Sequence, residues 1–191
     1  DPDDNLLVVD HLNNRIQKYT ARGEYLSQFG SSGTAEGELD MPWGIDVNSK
    51  GEIFIADWRN DRIQIFSTNG EFITKFGESG QEDGQFNRPS SVTVDTQGLI
   101  YIADWGNERI QILDKEGNFI TKLRGDAGLS KWADEFMIAN VDEATAREKS
   151  EMEPNLPHLK NDPHEESSHI EKLFWGPVSV NIDLAGRLYV T

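Results

Sequence analysis

Asp10, Asp57 and Asp104 are spaced by 47 residues, and Arg15, Arg62 and Arg109 keep the same interval. The registers agree over whole segments. Ile53-Phe-Ile-Ala-Asp-Trp-Arg-Asn-Asp-Arg-Ile-Gln-Ile65 runs against Ile100-Tyr-Ile-Ala-Asp-Trp-Gly-Asn-Glu-Arg-Ile-Gln-Ile112, and Leu6-Leu-Val-Val-Asp-His-Leu-Asn-Asn-Arg-Ile-Gln-Lys18 follows the same pattern. An internal repeat of this length is one supersecondary unit that cannot bury its own faces and must stack on its neighbours.

Within each unit, short apolar or alternating runs are separated by turn residues, the pattern of strands in a meander. In the second unit the strands are predicted at Trp43–Asn48, Glu52–Asp57, Arg62–Phe66 and Glu71–Phe76, here termed a to d. Asn69-Gly70 and Glu116-Gly117 supply the c–d turns, where glycine accepts positive φ. Four strands per unit of this length fit one blade of a propeller.

The order of these segments carries a resemblance. A small apolar strand ending in Ala-Asp is followed by Asn-x-Arg-Ile-Gln-Ile, then Gly-x-Phe-x-x-x-Phe-Gly, then Pro and a Val-x-Val-Asp strand. This string resembles the NHL repeat, which implies an all-β fold: a β-propeller, usually six-bladed, of four-stranded antiparallel blades. On that basis a partial blade is expected at 5–30, full blades at 42–77 and 89–124, an insertion at 124–173, and a partial blade at 177–191. Thirteen strands grouped as three, four, four and two make an arc, and a homodimer closing a six-bladed ring is one expected assembly.

Because the strands alternate in direction, the b–c turns and the d–a connections emerge on one face. The b–c turns read His11-Leu-Asn-Asn14, Trp58-Arg-Asn-Asp61 and Trp105-Gly-Asn-Glu108. Tryptophan in an exposed turn invites a binding role. His11, Trp43, Trp58, Arg59 and Trp105 are therefore candidate ligand or partner contacts. Asp57 and Arg62, repeated in every unit, read as a pair closing the hairpin through charge-assisted hydrogen bonds. On the inner strands Asp46, Thr93 and Asn181 occupy equivalent positions and are expected to line the central channel.

From Pro89 to Pro177 the unit spans 88 residues in place of 47. The extra segment predicts a helix capped by Ser130 and ending before Pro154, with Trp132, Phe136, Met137, Val141 and Ala144 on the side that covers the propeller face. Trp132 and Phe136 join the candidate binding residues. Residues 154–169 read as a solvated loop. His158, His164 and His169 lie there among Asp162, Glu165 and Glu166, the residue types of a divalent metal site, but at a spacing that matches no established motif.

The net charge of −16 argues against nucleic acid as a partner, because that affinity comes largely from Lys and Arg displacing counterions. With no cysteine there is no disulfide framework. No apolar run is long enough to span a membrane, the acidic start Asp1-Pro2-Asp3-Asp4 does not read as a signal peptide, and the compartment stays open. The expected function is a scaffold binding a protein or small ligand on the face of the b–c turns. The alternative implied by the resemblance is a metal-dependent lyase or a lactonase- or esterase-like hydrolase with its site at the channel. The inner strands carry no histidine, so the lyases' metal-histidine pattern is not found.

Overall fold

A computed structural model of the chain describes residues 1–125, 131–150, 162–170 and 172–191. Its strands fall into four antiparallel sheets. The first contains β1 (Leu6–Asp10), β2 (Arg15–Tyr19) and β3 (Tyr25–Phe29). The second contains β4 (Pro42–Val47), β5 (Ile53–Asp57), β6 (Arg62–Phe66) and β7 (Phe72–Phe76). The third contains β8 (Pro89–Val94), β9 (Ile100–Asp104), β10 (Arg109–Leu113) and β11 (Phe119–Leu123). In the fourth, β12 (Val180–Ile182) pairs with β13 (Leu188–Val190). The grouping of three, four, four and two is the one the repeat predicts, and in the second blade each strand boundary lies within a residue of its expected place.

Each sheet is a blade, and consecutive blades stack face to face. Ile16 meets Ile53, Ile55 and Phe66 between the first and second blades, with Leu39 of the connecting loop sealing the layer. Phe54, Ile63 and Ile65 meet Val92, Ile100 and Ile102 between the second and third, sealed by Phe86. Ala103 and Ile110 meet Val180 between the third and fourth. Every residue of β5 and β6 is buried, because both faces of that blade are covered. The innermost strands approach so closely that a Cβ on Gly44 would lie 2.5 Å from the Ser91 Cα. This is a β-propeller arc.

Among the described residues the insertion contains three helices: α1 (Lys131–Ala139), α2 (Val141–Lys149) and α3 (Pro163–His169). The single helix expected there is interrupted at Asn140, whose non-helical φ of −125° and ψ of 75° separate α1 from α2. Neither α1 nor α2 buries a residue among those described, and Trp132 and Val141 are 75% and 68% exposed, so the expected apolar covering of the propeller face is not formed by this side. The part of 154–169 that is described is helical where a loop was expected. Asp162 caps α3 by accepting from the His164 and Glu165 amides, Pro163 opens it, and Glu165 and Glu166 sit in its first turn. Ser130, Pro154 and His158 lie outside the described residues.

Candidate functional site

Each b–c connection is a single 3₁₀ turn, at His11–Asn13, Trp58–Asn60 and Trp105–Asn107, closed by a left-handed residue, Asn14, Asp61 or Glu108. Before it stands the repeated aspartate, which does more than close a hairpin. Asp57 Oδ2 accepts from Asn60 Nδ2, Arg62 Nε and Gln64 Nε2 at 2.8–2.9 Å, and its Oδ1 accepts the Asp40 amide at 2.8 Å. The guanidinium of Arg62 then reaches the carbonyls of Thr34, Ala35 and Glu38 in the preceding d–a loop, at 2.8–2.9 Å. Gln64 donates to the Glu38 carbonyl and accepts the Gly37 amide. Asp104, Asn107, Arg109 and Gln111 repeat the arrangement on the loop at 80–87. The motif is a clamp that locks the loops ahead of the second and third blades onto those blades, so these residues serve the fold.

Electrostatics follow the same logic. Burial pushes the Asp57 and Asp104 carboxyls above their ordinary value, against the pull of the surrounding donors. Asp10 has similar donors but is only partly buried, and the hydrogen bonds from Arg15 and Asn13 hold it below that value.

Above the clamps runs an arc of rings. His11 and Trp43 lie 5.5 Å apart between centroids, Trp43 and Trp58 5.7 Å, and Trp58 and Trp105 6.4 Å. Trp43 and Trp105 remain 48% and 37% exposed, Trp58 is half-buried, and the Arg88 guanidinium lies 4.9 Å over the Trp58 ring. His11 is pinned by its Nδ1, 3.0 Å from the Pro42 carbonyl. Arg59 is exposed beside the arc, so five of the seven residues expected to make ligand contacts share one rim. Trp132 and Phe136 stack on each other at 6.0 Å on α1, as a separate pair.

The insertion joins the Trp105 end of this arc through Glu108. In the first two b–c turns the left-handed residue accepts the amide that precedes the proline of the next a strand: Asn14 that of Met41, Asp61 that of Arg88, each at 2.7 Å. Glu108 accepts the corresponding Gly176 amide with one carboxylate oxygen. Its other oxygen lies 2.7 Å from His164 Nδ1 on α3. Trp175 closes over that imidazole, with Nε1 3.2 and 3.4 Å from the two ring nitrogens, and Arg124 pairs with Glu166. One glutamate therefore holds the turn into the fourth blade and α3 together. Asn87, Arg88, Trp105, Gly106, Glu108 and His164 line a hollow of about 340 Å³ at this junction.

The expected channel residues are only partly brought together. Asp46 Oδ2 accepts from Thr93 Oγ1 and the Val94 amide, both at 2.8 Å, and its Oδ1 accepts the Val47 amide, so the carboxylate ties the second blade to the third. Asn181 stands exposed on the fourth blade and shares a shallow hollow of about 280 Å³ with them. Among the described residues no group of three or more His, Asp or Glu side chains is arranged to hold a metal ion. His164 is engaged with Glu108, and His169 ends α3.

A family model described as NHL repeat matches residues 39–66 and 86–113. These segments are NHL repeats. Each NHL match begins at Leu39 or Phe86, the loop residue that seals the blade interface, and ends with strand c, so it spans the clamp motif of its own blade. No curated protein matches the chain. Among solved structures the chain is similar to the Kuenenia stuttgartiensis hydrazine synthase, at 13% identity over 99% of this chain and 39% of that one, with a TM-score of 0.58. A streptogramin B lyase structure matches at 13% identity over 98% and 50%, with a TM-score of 0.53. The WD40 repeats of RRP9 match at 14% identity over 64% and 36%, with a TM-score of 0.51. The chain spans half or less of each of these structures. At such identities the likeness is one of fold, and the fold is the β-propeller.

Proposed function

We propose that the chain is a binding scaffold whose ligand, a protein segment or a small molecule, docks along the ring arc on the face of the b–c turns. The observation that carries this reading is the arc itself. Rings from three blades form one continuous row, yet Trp43 and Trp105 keep 48% and 37% of their surface in solvent, beside the guanidinium of Arg88. Large amphipathic rings held rigidly by their neighbours provide contact area at small entropic cost. The α3 latch adds asymmetry, because it gives the Trp105 end a wall that the His11 end does not have. The channel reading has less support, since the Asp46 carboxylate is already engaged by three donors.

The test is a panel of peptides and oligosaccharides titrated against the protein with intrinsic tryptophan fluorescence as the readout. A saturable ligand is expected, and Trp43→Ala combined with Trp105→Ala should weaken it by about tenfold or more while far-UV circular dichroism is unchanged. Binding that the double variant leaves intact would overturn the assignment of this face.

A further inference from the structure

The clamp arginines recur at one position of the repeat, and Arg88 does not. It stands directly ahead of an a strand, where the neighbouring units carry Met41 and Gly176. Arg88, Met41 and Gly176 all have left-handed backbone, with φ of 54°, 52° and 61°, and each gives its amide to the left-handed residue of a b–c turn. The backbone alone makes that contact, and glycine adopts this conformation without the steric cost that an arginine meets. The fold therefore does not account for the Arg88 side chain. Its guanidinium is exposed, lies 4.9 Å over the Trp58 ring, and pairs with no carboxylate among the described residues. That is unusual where 34 acidic side chains face 18 basic ones.

Beside Arg88 the third blade replaces a long side chain with none. Arg59 of the second blade corresponds to Gly106, where a Cβ would lie 2.6 Å from Asn87 Cγ. The hollow of about 340 Å³ at this place is lined by Asn87, Arg88, Gly106, the exposed ring of Trp105 and His164 of α3. Glu108 also lines it, but its side chain is 3% exposed and its two oxygens are taken by His164 and the Gly176 amide. It presents no free acceptor to a cation, and Arg88 repels one. What the lining does offer is a flat apolar wall and a forked donor without a partner, the complement of a carboxylate joined to a ring. One guanidinium balances one negative charge, and the nearby Glu108 opposes a second. A monocarboxylate therefore fits better than a dianionic phosphate.

We infer that this hollow binds a small monocarboxylate carrying a flat ring, with the carboxylate on the Arg88 guanidinium and the ring against Trp105. The inference rests on the reading of the ring arc as the ligand face and names the ligand class of its Trp105 end.

The probe is phenylpropionate, titrated against the whole chain with tryptophan fluorescence and NMR as readouts, beside phenylpropionamide and inorganic phosphate. The acid should bind saturably, and the amide about tenfold or more weakly. Arg88→Met matches the preceding unit at this position, so it should leave the melting temperature unchanged, weaken the acid about tenfold and leave the amide as it was. Arg22→Ala removes the same charge from a c–d turn on the opposite face and should not alter binding. The inference is overturned if the acid does not bind, if acid and amide bind equally, if Arg88→Met keeps full affinity, or if phosphate occupies the hollow more tightly than the acid. The comparison of acid with amide needs no variant. Loss of the acid in Trp43→Ala combined with Trp105→Ala, together with full binding by Arg88→Met, would keep the ring arc as the ligand face and reject the carboxylate. Binding that survives both changes would reject the two readings together.

Discussion

Arg62 and Arg15 occupy one repeat position and do different amounts of work. Arg62 bonds to an aspartate and three carbonyls in a buried setting, whereas Arg15 bonds to Asp10 and Gln28 near solvent. Lysine cannot reproduce the forked donors. Arg62→Lys should therefore cost about 2–3 kcal/mol by urea denaturation, and Arg15→Lys under about 1 kcal/mol. Equal losses would mean that the loop contacts contribute nothing. The aspartates give a matching contrast in pH. Asp10 lies below its ordinary 3.8, so its contribution is complete above that pH and is lost as pH falls through the lowered value. Asp104 is raised, so between 3.8 and its raised value the folded chain holds a proton the unfolded chain releases, and its contribution falls as pH rises through that window. Carboxyl-carbon NMR titration should place the two midpoints on opposite sides of 3.8.

At the scale of elements, the blades were legible because three copies of one sequence check each other. In the second blade strand c at 62–66 is observed at its expected residues, strand a is shifted by one residue, and strands b and d each start one residue later. The clamp was half legible: Asp and Arg pointed to a hairpin closure, while Asn60 and Gln64, repeated just as faithfully, were the signal that the cluster reaches a loop more than 20 residues back. The insertion has no second copy, so its reading rested on local pattern alone. Asp162-Pro163 with Glu165 and Glu166 is a helix start that could have been read, whereas the break at Asn140 and the exposure of Trp132 depend on packing that local pattern does not encode. Glu108→Asp tests the latch at this scale. The shorter side chain, like Asp61, should keep the turn amide at Gly176 and release His164. Amide exchange in α3 should then quicken while β9 and β10 stay protected, and unchanged α3 exchange would show that the Arg124–Glu166 pair alone holds the helix.

Across the whole molecule, 34 acidic side chains face 18 basic ones, and the arrangement of that charge decides how salt acts. Asp57–Arg62 and Asp104–Arg109 are buried, so mobile ions reach them poorly. Partly exposed pairs such as Lys75–Glu36 and Lys122–Asp83 contribute little at any ionic strength. What remains is repulsion among unpaired carboxylates on the loops and on α1 and α2, spread over distances comparable to the Debye length of about 10 Å at 0.1 M salt. Raising sodium chloride from about 0.02 M to about 0.5 M shortens that length to the scale of a single contact, which weakens the repulsion and leaves the buried clamps intact. The urea midpoint should therefore rise with salt at pH 7. It should rise less at pH 4, where part of the surface carboxylate charge is already neutralised. A midpoint that falls with salt would mean that exposed ion pairs, and not the clamps and blade interfaces, dominate the electrostatics of the arc.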